Sequence, residues 1–403
     1  MKPPFNPNIE SLIASAQKRE RRIIGLMSGT SLDGLDIALC AFSGSGADTS
    51  ARVERFTTVA YSDEIKSAIR KVFAKEQVDL QYLTLLHAWL KGALQDWGVD
   101  SDEVDLIASH GQTVMHAPKS LQSRDDAPES GFPNATLQIA DGDHIAVETG
   151  IITLSDFRQK HIAAGGEGAP LAVYGDYLLF SKKGEHRIML NLGGIANFTF
   201  LPASGDAADT FTTDTGPGNT MLDAYARRMY GKAYDVDGSI ALAGRAQPNL
   251  LAALKDCPFF DAPFPKTTGP ELFNMAYLDN AALERRVFLS AMPAEDVMAT
   301  LVRFSAETVA DAILRALAPL GDAPYSVFLS GGGAHNPALV GALKELLPKA
   351  RFGLTDELGI AGDAKEAVLF ALLANEALVG GRATFGARRA IPRVSMGKIS
   401  FPE

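Results

Sequence analysis

The chain has 403 residues, 46% apolar and 21% charged, with a formal net charge of −10; it is too long for one hydrophobic core and points to two or three globular domains. The acidic balance argues against nucleic acid as a partner, yet leaves anionic small ligands open, because main-chain N–H groups bind phosphate without net positive charge. Two cysteines, Cys40 and Cys257, build neither a disulfide framework nor a thiolate metal centre, and no apolar run reaches the length of a signal-peptide core or a roughly 18-residue span, so a cytoplasmic protein with no membrane partner is expected.

Residues 1–20, polar and interrupted by proline, read as a flexible N-terminal arm. From Ile23 to Phe42 the chain then reads strand, polar turn, strand: Ile23, Ile24, Leu26 and Met27 enter the turn, and Leu35, Ile37, Leu39 and Ala41 leave it. The turn Ser28-Gly29-Thr30-Ser31-Leu32-Asp33-Gly34 carries two glycines, three hydroxyls and a carboxylate, where a plain hairpin needs only a two-residue turn. Such a loop suits a phosphate cradle, since glycine lets N–H groups approach an anion closely; an idle surface loop is the alternative.

A third strand fits Val53 to Tyr61, and helices fit the stretch opening at Ser62-Asp63-Glu64 and the stretch Leu80 to Trp97. A buried strand, Val104 to Ala108, runs into the polar turn Ser109-His110-Gly111-Gln112-Thr113, and residues 117–134 read as an exposed loop. Short strands at Thr136 to Ala140 and Ile151 to Leu154 flank a helix around Asp141 to Glu148. The order implies a mixed sheet with helices on its faces.

The pattern then restarts. Arg187 to Leu201 is again strand, glycine turn (Gly193-Gly194) and strand, and Phe211 to Asn219 ends a strand and opens a helix through Met221, Leu222 and Tyr225. A long helix fits Glu295 to Leu317, a strand Ser326 to Ser330 runs into Gly331-Gly332-Gly333, and a last amphipathic helix covers Lys365 to Ala377. Two halves of this kind suggest a duplicated α/β fold whose ligand sits where the glycine turns converge, in an interdomain cleft. The boundary is expected near residue 160, giving lobes 21–160 and 161–403.

Four glycine turns at strand ends, with neither the GxxxxGK[ST] nor the GxGxxG spacing, favour a nucleotide gripped from both lobes. Asp214, between Phe211-Thr212-Thr213 and Gly216-Pro217-Gly218, is expected to be exposed at a helix N-terminus. There it either deprotonates a nucleophile for phosphoryl transfer or caps the helix. Asp33 and Asp36 are candidates for holding magnesium on the phosphates, Asp36 being equally readable as a surface residue. Asp156 to His161 reads as a polar loop before the glycine-rich Ala163 to Pro170; Arg158 can clamp a carboxylate there, or the segment is a linker. His110 and His116 lack the spacing of a zinc pair, so His110 and Gln112 are read as hydrogen-bonding groups of a cleft.

With MSGTSLDGLD (Met27 to Asp36), SHGQT (Ser109 to Thr113), DFR…AAGGEGAPL (Asp156 to Leu171), LNLGGIAN (Leu190 to Asn197), DTGPGN (Asp214 to Asn219), KTTG (Lys266 to Gly269) and SGGGAHNP (Ser330 to Pro337) in one order, the chain resembles the anhydro-N-acetylmuramic acid kinase family. That family belongs to the sugar kinase/heat-shock chaperone/actin superfamily. The resemblance implies a two-lobed, actin-like (duplicated ribonuclease H-like) ATPase fold. It also implies an enzyme that uses ATP and water to convert 1,6-anhydro-N-acetylmuramic acid into N-acetylmuramic acid 6-phosphate and ADP in peptidoglycan recycling. Carried over, Asp214 is the base that activates water. Ser28, Gly29, Thr30, Ser31, Leu32, Asp33, Gly34, Leu35 and Asp36 cradle the phosphates, Gly193, Gly194, Gly216, Gly218 and Asn219 are further nucleotide-binding candidates, and Gly331, Gly332 and Gly333 lie near the nucleoside. His110, Gln112, Thr113, Arg158 and Gly166 are the candidates for the sugar and its lactyl carboxylate. No direct metal ligand is expected; Mg2+ arrives on ATP, near Asp33. A kinase of another amino-sugar hydroxyl, a nucleotide-switch module and a metal-dependent relative are the competing readings, and a homodimer stays open.

Overall fold

The structure is a computed structural model that describes residues 5–29, 32–89, 100–119, 131–381, 392 and 394–403. In chain order its first elements are α1 (Pro7–Gln17), β1 (Glu20–Ser28), β2 (Gly34–Ser43), β3 (Ser50–Ala60), α2 (Asp63–Arg70), α3 (Leu80–Trp89) and β4 (Leu106–Ala117). Next come β5 (Ala135–Ile139), α4 (Gly142–Thr149), β6 (Thr153–Ser155), α5 (Phe157–Ala163) and α6 (Ala172–Phe180). The series continues with β7 (His186–Leu192), β8 (Ile195–Leu201), β9 (Phe211–Pro217), α7 (Thr220–Tyr230), α8 (Ser239–Ala243), α9 (Pro248–Lys255) and α10 (Pro258–Asp261). It closes with α11 (Met275–Glu284), α12 (Ala294–Leu317), β10 (Tyr325–Ser330), α13 (Pro337–Leu346), β11 (Ala350–Leu354), α14 (Lys365–Val379) and β12 (Lys398–Ser400). They form two compact units, Met1–Phe180 with Gly359–Glu403, and Ser181–Leu358.

In the first unit the strand order is β12-β6-β4-β1-β2-β3, with β5 paired to β4. β1, β2 and β3 run antiparallel, and β4 and β6 lie parallel to β1 and β4 respectively. Ile24, Leu26, Ile37 and Leu39 pack with Ile107 and with Ile145 of α4. Alternation along β1 turns Gly25 to the other face, where α14 approaches so closely that a Cβ on Gly25 would lie 1.9 Å from the Ala367 carbonyl oxygen. Cover on both faces explains why β1 reads as an almost unbroken apolar run. In the second unit the order is β11-β10-β7-β8-β9, with β7, β8 and β9 antiparallel and β10 and β11 parallel to β7 and β10. Its core gathers Leu190, Phe198 and Leu329 from the sheet with Leu301, Phe304 and Ile313 of α12. Both units therefore repeat one arrangement, an antiparallel meander followed by parallel strands on the side of its first strand. This is the ribonuclease H-like topology, present twice.

Several expectations change. The division falls after Phe180, not near residue 160, and α14 returns to the first unit. That helix buries Val368, Leu369, Phe370, Leu372 and Leu373, and its amphipathic pattern carries no record of which sheet it will cover. The expected arm holds α1, started by Asn6, whose side chain accepts from the Asn8 N–H (2.9 Å), with Pro7 as the first helical residue. Ser109 to Thr113 is no turn: β4 continues through it, bulging at Gly111 (φ +74°) where a Cβ would meet the Ile139 carbonyl at 2.4 Å. Asp156 to His161 is not a loop, since α5 opens at Phe157. Residues 90–97 of the expected second helix, and residues 120–130 of the expected loop, lie outside the described residues. Helices α6 and α8 to α11 went unread in the sequence, all of them being short.

Candidate active site

The β1–β2 turn belongs to the first unit. Met27 pairs with Asp36 and Ser28 with Leu35, so the turn is stretched over two strand ends. Within it the Leu32 N–H donates to the Gly29 carbonyl (3.4 Å), and Leu32 has φ +58°. The Gly34 N–H donates to Asp33 Oδ1 (3.1 Å), and a Cβ on Gly34 would strike the Val59 carbonyl oxygen at 2.5 Å. Thr30 and Ser31 lie outside the described residues. Asp36 accepts from the Thr58 hydroxyl (2.6 Å). Burial, opposed by that bond and assisted by Asp33 and Asp363, raises its carboxyl above the ordinary value. The turn is thus acidic, a setting for a cation-bearing phosphate chain rather than a bare anion.

β4 and α5 carry the expected sugar groups. Ser28 Oγ donates to Gln112 Oε1 (2.5 Å), leaving the Tyr61 hydroxyl to donate to Ser28 (2.6 Å). Gln112 also donates from Nε2 to the Thr113 carbonyl (3.0 Å), and the Thr113 hydroxyl accepts from Gln138 (3.1 Å). Arg158 Nε donates to His110 Nε2 (2.8 Å), which assigns the ring proton to Nδ1, where it reaches the Gly111 carbonyl (2.8 Å). His110 is buried against the Phe370 ring at 4.6 Å. Burial and the neighbouring guanidinium keep it neutral, well below its ordinary pKa. Both ring nitrogens are occupied, so His110 neither touches a sugar directly nor has a lone pair for a metal ion. Arg158 Nη1 is held by the Gly168 carbonyl (2.7 Å). Desolvation brings its guanidinium down to about 10, still charged at neutral pH, with Glu366 working against the fall. Gly166 is buried beneath His161, whose ring carbon a Cβ there would meet at 2.2 Å; its carbonyl accepts from Asn134 (3.0 Å).

The second unit holds the other expected residues. Asp214 lies inside β9, paired with Asn197, six positions before α7 begins, and is neither exposed nor a helix cap. Its Oδ2 accepts the Thr268 N–H (2.9 Å), and its own N–H donates to the Lys266 carbonyl (3.0 Å). Burial, opposed by the Thr268 N–H and reinforced by Glu271, raises the carboxyl to about 6. Oδ1 has no hydrogen-bond partner among the described residues. A carboxylate so placed is ionised at neutral pH, oriented through one oxygen and open at the other.

The glycine turns of this unit pack on one another. The Gly218 and Asn219 N–H groups donate to the Gly194 and Gly193 carbonyls (both 2.8 Å), and Asn219 Nδ2 donates to the Leu192 carbonyl (2.8 Å). A Cβ on Gly218 would lie 2.3 Å from the Gly193 oxygen, one on Gly331 2.6 Å from Asn191 Oδ1, and one on Gly333 2.8 Å from Leu192. Gly216 takes φ +139°. The N–H groups of Gly218 and Asn219 are therefore spent on a neighbouring turn. Gly332 has open space around its Cα. Sequence reasoning assigned no role to Lys266, Thr268, Tyr61 or Glu366. Only Lys266 and Thr268 sat in a recognisable motif. Among the described residues no three His, Cys, Asp or Glu side chains gather to hold a metal ion, and no helix is long and apolar enough to cross a membrane.

A model of the anhydro-N-acetylmuramic acid kinase family matches residues 21–392. The chain is 52% identical over 410 residues to an anhydro-N-acetylmuramic acid kinase of Pseudoalteromonas atlantica, a match covering 99% of this chain and 100% of the relative. It is 50% identical over 411 residues to the enzyme of that name from Pseudoalteromonas translucida, again over 99% and 100%. Against the Clostridioides difficile relative the identity is 37% over 364 residues, 88% of this chain and 91% of the other. A family match across nearly the whole chain, joined by relatives at half identity over full length, means that the chain belongs to the anhydro-N-acetylmuramic acid kinase family.

Proposed function

We propose that this chain uses ATP and water to open 1,6-anhydro-N-acetylmuramic acid and phosphorylate its O6, giving N-acetylmuramic acid 6-phosphate and ADP for peptidoglycan recycling in the cytoplasm. The observation that carries the reading is Asp214: one carboxylate oxygen held by the Thr268 N–H, the other open, with a basicity of about 6. Oδ1 takes a proton from water as the water oxygen attacks the anomeric carbon. The bond from that carbon to the bridging oxygen breaks, and the released O6 attacks the γ-phosphorus, expelling ADP.

The β1–β2 turn and the Gly331–Gly333 turn are the phosphate and nucleoside contacts of this reading. Magnesium carried on the phosphates would meet Asp33 and Asp36, the latter partly desolvated, and these carboxylates suit a hard cation that would offset charge on the transferring group. Arg158, fixed by His110 and Gly168 through Nε and Nη1, offers Nη2 to the lactyl carboxylate. Gln112, tied to Ser28, holds the turn rather than the sugar.

Release of ADP, followed with the anhydro sugar and separately with N-acetylglucosamine, tests the reading. Turnover is expected with the first and not the second, and the reverse preference would favour kinase action on an ordinary amino-sugar hydroxyl. Asp214→Asn should keep nucleotide binding and lose about two to four orders of magnitude in kcat.

A further inference from the structure

Lys266 is buried, and its ammonium is not aimed at Asp214. Nζ donates instead to the carbonyls of Phe259 (2.8 Å) and Phe260 (2.9 Å) on α10 and lies 4.3 Å from the centre of the Phe259 ring. A buried ammonium is costly unless its protons are matched, and here carbonyls and an aromatic face match them. Arg315 of α12 grips the same place, donating to the Phe260 (2.8 Å) and Ala262 (2.7 Å) carbonyls with its guanidinium 4.0 Å from the centre of the Phe264 ring.

The main chain that follows this anchor does the reaching. The Lys266 N–H donates to Thr213 Oγ1 (3.1 Å), the Lys266 carbonyl accepts the Asp214 N–H (3.0 Å), and two residues on the Thr268 N–H holds Asp214 Oδ2 (2.9 Å). Residues 266–268 thus form a strap laid along β9, tied at one end to α10 and ending on the carboxylate. We propose that Lys266 is a positioning residue: its clamp on the Phe259 and Phe260 carbonyls sets where the Thr268 N–H stands, and so which way Asp214 faces. The proposal rests on Asp214 as the base. Methionine at 266 would fill the space among the aromatic rings but leave the Phe259 carbonyl without the ammonium that now pins the strap.

The test is steady-state kinetics of the full chain with ATP and the anhydro sugar, comparing Lys266→Met, Arg315→Met and Asp214→Asn. A displacement of about an ångström at a reacting group costs up to roughly a hundredfold in rate, so Lys266→Met is expected to lower kcat at least tenfold while both KM values stay within twofold. A smaller fall, or a loss carried by KM or by kcat and KM together, overturns the proposal. Should Lys266→Met fail to fold, Arg315→Met decides, its arginine being exposed: kcat at least threefold lower with unchanged KM supports the strap, and a smaller fall overturns it. Near-normal kcat in Asp214→Asn would instead remove the base assignment itself, whereas an inactive Asp214→Asn beside a normal Lys266→Met removes only the strap.

Discussion

In the proposed reaction Asp214 must be charged to take a proton, and the protein makes that charge expensive. Burial outweighs the Thr268 N–H and sets the carboxyl at about 6, so kcat should fall about tenfold per unit as pH drops below that value and level off above it, in a pH–rate profile. The same shift bears on stability. A carboxyl raised on folding favours the native state when protonated, and that advantage is lost as pH rises from the ordinary carboxylate value through about 6. Asp214→Asn should therefore melt higher than the unsubstituted enzyme at neutral pH, by on the order of 2 kcal/mol, and the gap should close in acid. Lower stability at neutral pH would contradict this account. His110 acts at one remove. His110→Phe keeps a ring against Phe370 but takes away the acceptor for Arg158 Nε, so KM for the sugar should rise about tenfold with KM for ATP unchanged.

Among the elements, β1 and α14 depend on a missing side chain. Gly25→Ala places a Cβ 1.9 Å from the Ala367 carbonyl oxygen, a clash with main chain that no rotamer relieves. It should cost about 3 kcal/mol or more in chemical denaturation. The β7–β8 turn and the start of α7 are locked in the same way, so Gly218→Ala, 2.3 Å from the Gly193 oxygen, should likewise lower stability in chemical denaturation. These elements were largely legible in the sequence. Apolar runs ending in glycine named β1, β2, β7, β8, β9 and β10, and helical spacing named α12 and α14. The course of β4 through Ser109 to Thr113 was not legible, because polar residues look like a turn until neighbouring strands, β1 parallel and β5 antiparallel, supply their main-chain partners.

At the scale of the molecule the second unit is one uninterrupted stretch, Ser181–Leu358, whereas the first is completed by Gly359–Glu403. Removing residues 359–403 strips α14 from β1, β2 and β4 and uncovers the face around Gly25. That truncation should leave a proteolysis-resistant core confined to the second unit, seen by limited digestion and mass spectrometry. Survival of the first unit would show that α14 is dispensable to it.

By itself the sequence determined the duplicated α/β class, the family, and the choice of Asp214 as the proposed base, because strand–glycine–strand patterns and ordered motifs are local properties of the chain. Tertiary structure decided the rest. It placed Asp214 inside β9 instead of at a helix end, turned His110 and Gln112 inward, and spent the Gly218 and Asn219 N–H groups on a neighbouring turn. It also brought Lys266, some fifty residues downstream, to the back of the carboxylate. Each of these depends on which main-chain groups find partners far away along the chain, and spacing in a sequence carries no information about that.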